Sequence, residues 1–502
     1  MGTPSGVAKH DTISFPPYAL RGLASQSMVP MSADRLIPLI VAVALFMENM
    51  DSTVIATSLP AIASAIGTNP LALKLAVTSY LLSLAVFIPA SGWIADRFGA
   101  RTVFRAAIGV FMLGSIGCAV SSSLVHFVAA RIVQGAGGAM MTPVGRLILI
   151  RSVDKRELVG AMALVTMPAL VGPMVGPPVG GFITTYFSWH WIFLINLPIG
   201  LVGIALITRF VDNVRAETYP PFDFIGMMLS GVGLSGLAFG LSVAGLEYLP
   251  WSIVVALIAV GALFTTCYVV YARRKPAPVL DLSLFALPTF RASVVGGFMF
   301  RMGIGALPFL LPLLLQIGFK LTPFQSGLIT FSSAVGAFAM KALGPKILRR
   351  FGFRSILMVN ALVSAAFLAA CASFTPTSPT AIIIGVLLIG GFFRSLQFTS
   401  INTIAYADVE PQRISRATSL VSVAQQLSLS AGVAVGGLAV EMTTRIAGNT
   451  ALTATDFPPA FLFVAAISAA SIFIFLQLPR DAGAELAGRL PVAVKSNDQR
   501  GG

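Results

Sequence analysis

The sequence predicts an all-α polytopic membrane protein, built from two six-helix bundles with two further helices between them. Three observations lead to this prediction. First, 56% of the 502 residues are hydrophobic and only 10% are charged, whereas a soluble chain carries about 25% charged residues. Second, fourteen apolar runs of about 20 residues follow one another along the chain. Third, a ten-residue pattern recurs after the second and the tenth of these runs.

Each apolar run is predicted to form a transmembrane helix, because about 20 residues at about 1.5 Å each cross a hydrocarbon core of about 30 Å. The seventh and eighth runs are rich in glycine and would also fit a long hairpin that dips into the membrane. The fourteen runs lie near residues 36–58, 72–94, 103–122, 125–148, 157–183, 190–209, 222–243, 250–272, 291–316, 325–346, 354–373, 380–405, 416–440 and 458–478.

The orientation follows from the basic residues, which concentrate in the loops after even-numbered runs. Cytoplasmic loops carry an excess of Lys and Arg, so these loops and both termini are predicted to be cytoplasmic. The loops on this side contain Arg97, Arg101, Arg105, Arg151, Lys155, Arg156, Arg209, Arg215, Arg273, Arg274, Lys275, Lys346, Arg349, Arg350, Arg354, Arg413 and Arg416. The opposite loops contain Lys74, Lys320 and Arg445.

The same charge distribution explains the net charge of +14, so nucleic acid is not an expected partner. The polar segments 1–34 and 481–502 are predicted to be cytoplasmic tails, the first of them disordered. The chain is expected in the cytoplasmic (inner) membrane as a multi-pass protein, with the lipid bilayer as its surroundings.

An internal repeat divides the chain into two halves. The sequence GWIADRFGAR at 92–101 and the sequence PKILRRFGFR at 345–354 share RFG and the final Arg in register. Transporters build two bundles around a central site from such repeats. We therefore predict an N-terminal bundle over 35–210, an inserted helix pair over 211–275 and a C-terminal bundle over 276–480.

Two acidic residues, Glu48 and Asp51, lie inside the first apolar run. They are three residues apart and therefore share one face of a helix. An ionised carboxylate near the bilayer centre costs about 2.5–3.5 kcal/mol, so such residues face a cavity or a partner and mark ion pathways. The pair predicts proton coupling in a transporter; a static ion pair is the structural alternative.

Several motifs, taken together, resemble the major facilitator superfamily. The sequence GWIADRFGAR is similar to its loop signature between the second and third helices. The chain resembles more closely the fourteen-span drug:proton antiporters of the EmrB/QacA type, and among them the MdtD/HsrA-like bacterial proteins. This resemblance covers most of residues 36–480. It is carried by MDSTVIATSLP (50–60), RIVQGAGGAMMTPVGR (131–146), GPMVGPPVGG (172–181) and SWHWIFLINLPIG (188–200).

The loop after the second run is a candidate conformational latch. Glycines let two helix ends approach closely, and Asp96 can cap a neighbouring helix or pair with an Arg there. The resemblance implies that this contact holds the cytoplasmic side shut. A basic loop that only sets topology is the alternative, although it does not explain Asp96. The predicted latch consists of Gly92, Asp96, Arg97, Gly99 and Arg101.

Arg131 in the fourth run is the predicted partner of Asp51. At about 1.5 Å per residue, Arg131 lies about 9 Å and Asp51 about 8 Å from the outer face. The resemblance implies that the fourth-helix Arg takes part in proton coupling; a purely structural pair is also possible. Glu48 is either a second titratable site or cation contact, or a neutral hydrogen-bonded acid without a role.

The fifth run combines helix-bending prolines with glycines that permit close packing. The resemblance identifies it as an antiporter motif and implies export; the physical pattern alone predicts only a tight, bent packing seam. The motif residues are Gly172, Pro173, Gly176, Pro177, Gly180 and Gly181.

The second half contains two deep arginines, Arg301 and Arg394, with no obvious acidic partner in the runs after 290. Arg binds carboxylate or phosphate in a bidentate manner, so an anionic substrate group is one prediction. Alternatively, Glu48 or Asp51 reaches across the cavity to pair with them. Further candidate substrate-binding residues are polar side chains within apolar runs, namely Gln134, Gln316, Gln397, Asn402 and Gln425.

The predicted function is proton-coupled export of small amphipathic molecules, drugs among them, by alternating access. The alternative is export of an anionic metabolite or metal chelate through Arg301 and Arg394. The sequence contains no HExxH, GxSxG or GxxxxGK[ST] motif, so neither an enzyme nor an ATP-driven pump is expected. The three dispersed cysteines predict no metal site. No cofactor is expected besides the proton gradient, and a monomer is expected.

Overall fold

A computed structural model describes residues 2, 33–153, 157–215, 221–244, 246, 249–449 and 451–486. The predicted tails 1–34 and 481–502 fall almost entirely outside these ranges. All regular secondary structure in the described residues is helical, which confirms the predicted fold class.

The helices follow the fourteen predicted runs in order. Among the described residues, thirteen helices are long and apolar enough to cross a membrane, and a 29-residue helix occupies the place of the fifth run. We number them α1 (Leu36–Thr57), α2 (Pro70–Phe98), α3 (Ala100–Ala119), α4 (Leu124–Ser152), α5 (Leu158–Tyr186), α6 (Trp191–Phe210), α7 (Phe224–Val243), α8 (Trp251–Arg274), α9 (Pro288–Gly318), α10 (Pro323–Phe351), α11 (Phe353–Ser373), α12 (Thr380–Ile404), α13 (Pro411–Ile446) and α14 (Ala454–Phe475).

The helices pack as two groups of six. In the first group α1 lies against α5, and α4 lies against α2 and α3; in the second, α10 lies against α12, and α9 lies against α13 and α14. Helices α7 and α8 pack on each other, and α7 also contacts α2 and α13. The inserted segment is therefore a pair of span-length helices beside the seam between the two groups.

The two groups meet along α5 with α10 and along α2 with α13. Several contacts between them lie at the end of the bundle opposite the Arg-rich loops. Gln316 Nε2 donates to the Thr57 carbonyl at 2.9 Å, and the Phe324 amide donates to Thr185 Oγ1 at 3.1 Å. Glycines allow this approach, since a Cβ on Gly181 would collide with the backbone of Pro323. The bundle is therefore closed at this end.

The sequence repeat has a structural counterpart in the two Arg-rich loops. Gly99 and Gly352 both adopt positive φ, +91° and +75°, which glycine tolerates best. Two residues beyond each glycine an Arg binds a backbone carbonyl near the end of its own half. Arg101 Nη1 donates to Val211, and Arg354 Nη2 donates to Leu476, each at 3.2 Å.

Candidate functional site

The predicted contact between Asp51 of α1 and Arg131 of α4 is present. Arg131 Nη1 lies 2.9 Å from Asp51 Oδ2. The two side chains are 0% and 1% exposed, so this ion pair is sealed inside the first six-helix group. The two residues lie at the same depth, as predicted, because both helices are regular here and run in opposite directions across the same thickness.

Neutral donors complete the site around the carboxylate. Gln134 Nε2 and Asn196 Nδ2 both donate to Asp51 Oδ1, at 2.9 Å and 2.7 Å. The same two amides also reach Ser115 Oγ, at 2.9 Å and 3.2 Å. Arg131 Nη1 additionally donates to Gln134 Oε1 at 2.5 Å. Both oxygens of Asp51 are thus hydrogen-bonded, as a buried carboxylate requires.

Three members of this cluster were missed by sequence reasoning: Ser115, Asn196 and Tyr80. The Tyr80 ring lies beneath the guanidinium of Arg131, with 4.1 Å from Arg131 Cζ to the ring centroid. Asn196 belongs to the motif at 188–200. A single amide in an apolar run indicates a buried polar partner, so Asn196 could have been found from the sequence. Ser115 gave no signal, because serine is common in membrane helices.

Glu48 lies on α1 one turn before Asp51, and its side chain is 8% exposed. Its carboxylate accepts from Thr142 Oγ1 at 3.4 Å and from Asn49 Nδ2 at 3.1 Å. Gly138 lies beside it, and a Cβ there would meet Tyr80 Oη at 3.2 Å and Leu84 Cδ2 at 3.3 Å. Among the described residues Glu48 has no ion-pair partner, so it differs from Asp51 in having only neutral contacts.

A cavity of about 430 Å³ lies between the two groups of helices. Its lining comes mainly from α1, α5, α9, α10 and α12, and includes Thr53, Pro173 and Pro177 from the first group. Lys341 of α10 lines this cavity and also a second cavity of about 500 Å³ toward the Arg-rich loops. Because the two cavities share Lys341, the central cavity extends toward the end of the bundle that carries the Arg-rich loops.

The two deep arginines line this cavity. Arg301 is 1% exposed, and its Nη2 donates to Asn402 Oδ1 at 2.7 Å. Its guanidinium lies 5.2 Å from the centroid of the Phe398 ring. Arg394 Nη2 donates to Ser333 Oγ at 2.7 Å. In the described part of the chain neither arginine pairs with an acid, and neither Glu48 nor Asp51 lines the cavity.

Four glutamines predicted to bind substrate lie elsewhere. Gln134 belongs to the Asp51 cluster, and Gln316 joins the two halves through Thr57. Gln397 is fully buried against α11, where its Nε2 donates to the Leu357 carbonyl at 2.9 Å. Gln425 is partly buried on α13 and is absent from the cavity lining. Hydropathy does not fix the rotation of a helix that is apolar on every side, so these positions could not be assigned from sequence.

The glycines of α5 serve two different contacts. A Cβ on Gly176 or Gly180 would collide with α1, and a Cβ on Gly172 would lie 3.0 Å from the Phe46 carbonyl oxygen of α1. This ridge therefore holds α5 against the helix that carries Asp51. Gly181 instead faces the backbone of Pro323 on α10. The prolines at 173 and 177 line the cavity. The motif at 172–181 thus contacts α1 and α10 and also forms part of the cavity wall.

The predicted latch is centred on an ion pair within the first half. Arg151 Nη2, near the end of α4, lies 2.6 Å from Asp96 Oδ1. Arg97 instead lies over the Trp93 ring, with 5.1 Å to the centroid. Gly99 is required for close packing, because a Cβ there would collide with Asn213. A Cβ on Gly92 would meet nothing within 4 Å, so the structure gives Gly92 no packing role.

Lys74 corrects one detail of the sequence analysis. It was counted among the loop residues, but it lies at the start of α2 and is fully buried. Its Nζ is 3.4 Å from Glu441 Oε2 of α13. This ion pair crosses between the two halves.

Comparison with known proteins agrees with this architecture. The family model of the Major Facilitator Superfamily matches residues 41–433, with a second match at 293–494. The chain is 38% identical over 450 residues to MdtD proteins of Salmonella paratyphi B and Salmonella typhimurium, which are named for multidrug resistance. The matched region covers 88% of this chain and 94% of each relative.

Two solved structures share the fold. The D-xylose-proton symporter has a TM-score of 0.63 at 15% identity, and the nucleoside transporter NupG has 0.60 at 15% identity. Each match covers 89% of this chain and 98% of the other. These likenesses establish the architecture. This multi-pass membrane chain is a transporter of small molecules rather than an enzyme, and it belongs to the Major Facilitator Superfamily, in the branch that contains the MdtD multidrug resistance proteins.

Proposed function

We propose that this chain is a proton-coupled exporter of small amphipathic molecules, drugs among them, that works as a monomer by alternating access in the cytoplasmic membrane. The single observation that carries the proposal is the sealed ion pair of Asp51 and Arg131, completed by Gln134 and Asn196. A carboxylate at 0% exposure is stable only while its charge is compensated or removed.

The side chains of this cluster can accommodate Asp51 in its ionised and in its protonated form. With Asp51 ionised, Arg131 and two amides hold the charge. When Asp51 takes up a proton, Arg131 keeps Gln134 Oε1 and the face of Tyr80 as contacts, which compensate its charge only in part. The protonated cluster is therefore less stable in this arrangement than the ion pair, so proton uptake favours a rearrangement of the helices.

The first helix connects this cluster to the cavity. Thr53 and Ala56 of α1 line the cavity, while Asp51 of the same helix faces the interior of the first half. The glycine ridge of α5 packs closely against α1, so a movement of one helix displaces the other. Glu48, which retains 8% exposure, is the second titratable site in this proposal and passes protons between water and Asp51.

Alternating access is supported by the way the two halves touch. Under the positive-inside rule the Arg-rich loops and both termini lie in the cytoplasm, so the joined end of the bundle is the outer one. The structure then represents a conformation closed to the outside. The ion pair of Asp96 and Arg151 lies at the same end as the Arg-rich loops and within the first half. In this proposal it holds the loop after α2 in shape, and that loop closes the cytoplasmic side when the site opens outward.

Export as the direction of transport is supported by the relatives named for multidrug resistance and by the glycine and proline motif of α5. The cavity lining is mostly apolar, with Phe300, Leu307 and Leu311 among its residues. Such a surface suits amphipathic cargo. Glycines and prolines that seal α5 against α1 and α10 keep a proton-driven exporter from leaking.

The proposal is tested by substrate transport in inside-out vesicles under an imposed pH gradient. Asp51→Asn should abolish uphill transport but retain substrate exchange in the absence of a gradient, because the amide cannot carry a proton. Asp456→Asn is the matched control, since Asp456 is also buried but holds its own loop through Thr453. Undiminished gradient-driven transport by Asp51→Asn would refute the coupling.

A further inference from the structure

The charged side chains that line the central cavity are all positive, and all come from the same half of the chain. Three cationic side chains line it, namely Arg301 of α9, Lys341 of α10 and Arg394 of α12. No Asp or Glu is among its described lining residues. All three cations come from the second half of the chain, so one wall of the cavity carries the positive charge.

The hydrogen-bond partners of these cations are neutral. Arg301 donates to Asn402 Oδ1 at 2.7 Å, Arg394 donates to Ser333 Oγ at 2.7 Å, and Lys341 donates to Thr399 Oγ1 at 3.0 Å. The Arg301 Nε atom is buried without any hydrogen-bond partner. Neutral oxygens position the two arginines but leave their charge uncompensated, which is costly because Arg301 is buried and Arg394 is partly buried. Lys341 is exposed, so this cost does not apply to it.

The facing wall has a different chemistry. The first half contributes Thr53, Ala56, Pro173, Met174 and Pro177 to the lining. None of these side chains carries a charge, and four of the five are apolar. A ligand that fills the cavity therefore meets cations among apolar side chains on one side and a wall without charged side chains on the other.

We propose that the cavity binds amphipathic organic anions, with a carboxylate, sulfonate or phosphate held by Arg301 and Arg394 and an apolar body against α5. This inference names the substrate class of the proposed exporter and rests on that proposed function. Arginine suits the task because its planar guanidinium binds such groups in a bidentate manner. Lys341, which lines both cavities, draws the anion from the cytoplasmic side.

The inference is tested with three probes that share one fluorescent aromatic body and differ in charge: dansylglycine (an anion), dansylamide (neutral) and dansylcadaverine (a cation). Binding is measured on the purified full-length protein in lipid nanodiscs, with protein-free nanodiscs as the blank. The wild type should bind dansylglycine at least about tenfold more tightly than either other probe, as expected when one charge-assisted contact is added. Preference for dansylcadaverine, or equal binding of all three, would overturn the inference.

Single variants test whether Arg301 and Arg394 bind the anionic group of the probe. Arg301→Gln and Arg394→Gln should each weaken dansylglycine binding about tenfold or more and leave dansylamide binding unchanged. Arg394→Lys should recover part of the loss, because it restores the charge without the planar fork. Arg209→Gln is the matched control, since Arg209 lies at the end of α6 over Phe210, away from the cavity. If one variant fails to fold, the wild-type comparison and the other variants still decide the outcome.

Transport separates this inference from the proposed function. If dansylglycine binds selectively but a pH gradient does not drive its transport, proton coupling fails and anion recognition stands. If a pH gradient drives dansylcadaverine transport and Arg301→Gln leaves it unchanged, export stands and anion recognition fails.

Discussion

Lys74 of α2 and Glu441 of α13 form an ion pair across the two halves of the transporter, with 3.4 Å between Nζ and Oε2. Lys74 is fully buried and Glu441 is 12% exposed. Lys74 also donates to the Ala244 carbonyl, which follows α7, at 3.4 Å. One lysine thus joins both halves and the inserted helix pair at the closed end of the bundle.

Breaking this pair is predicted to favour opening at that end. Lys74→Met leaves the Glu441 carboxylate without its interhalf partner, and Glu441→Gln leaves a buried lysine charge uncompensated. Removing one member of a buried pair typically costs about 3–5 kcal/mol. Only the conformation that is closed at this end contains the pair, so only that conformation is destabilised. Distances between spin labels on the ends of α2 and α13 should lengthen in either variant.

The double variant Lys74→Met with Glu441→Met should return toward the closed distances, because it leaves no buried charge. Arg445→Gln is the control at the same site: Arg445 pairs with Glu441 at 3.1 Å but is 52% exposed, so its loss should matter little. Unchanged distances in Lys74→Met would show that the pair does not hold the two halves together.

The pair of Asp96 and Arg151 is predicted to affect the transport rate far more than stability. Its members are 34% and 23% exposed, and exposed pairs contribute about 0.2–1 kcal/mol. Asp96→Asn should therefore barely change thermal unfolding but slow substrate transport, because the proposed latch would lose its ion pair. A normal rate in Asp96→Asn would favour a loop that only sets topology. Asp212→Asn, at an exposed acidic residue after α6, serves as control.

The latch glycines are predicted to respond differently to alanine. Gly99 has φ of +91° and packs against Asn213, so Gly99→Ala should destabilise the protein by about 1–3 kcal/mol. Gly92 lies in a helix with open space around it, and Gly92→Ala should be neutral or stabilise by about 0.5–1 kcal/mol. Thermal unfolding in detergent measures both. Equal losses would contradict the packing described for Gly99.

The predicted contacts that are present in the structure are those for which helix geometry leaves little choice. A regular helix rises by a fixed distance per residue, so the depths of Asp51 and Arg131 could be calculated from the predicted ends of their helices. The register of the internal repeat likewise indicated that Gly99 and Gly352 are equivalent, and both adopt positive φ. These predictions needed only helix length and chain direction.

The rotation of each helix about its own axis, in contrast, could not be predicted from the sequence. Gln316 and Gln397 are amides in apolar runs, and nothing in those runs distinguishes a cavity-facing amide from one that joins two helices. Lys74 was misplaced for a related reason: a lysine near a span end ordinarily reaches water, whereas this one is covered by α13 and the residues after α7.

Acid is predicted to loosen the segment between α8 and α9 through Asp281. Burial raises the pKa of this carboxyl, but hydrogen bonds from Ser283 and from Arg413 of α13 outweigh it, so its pKa lies below the ordinary 3.8. A group with a lowered folded pKa stabilises the protein above its ordinary pKa, and this contribution is lost as pH falls through the lowered value. The thermal stability advantage of the wild type over Asp281→Asn should therefore be constant above about pH 5 and shrink below pH 3.8. An advantage that persists unchanged in acid would exclude the ionised Asp281 as its source.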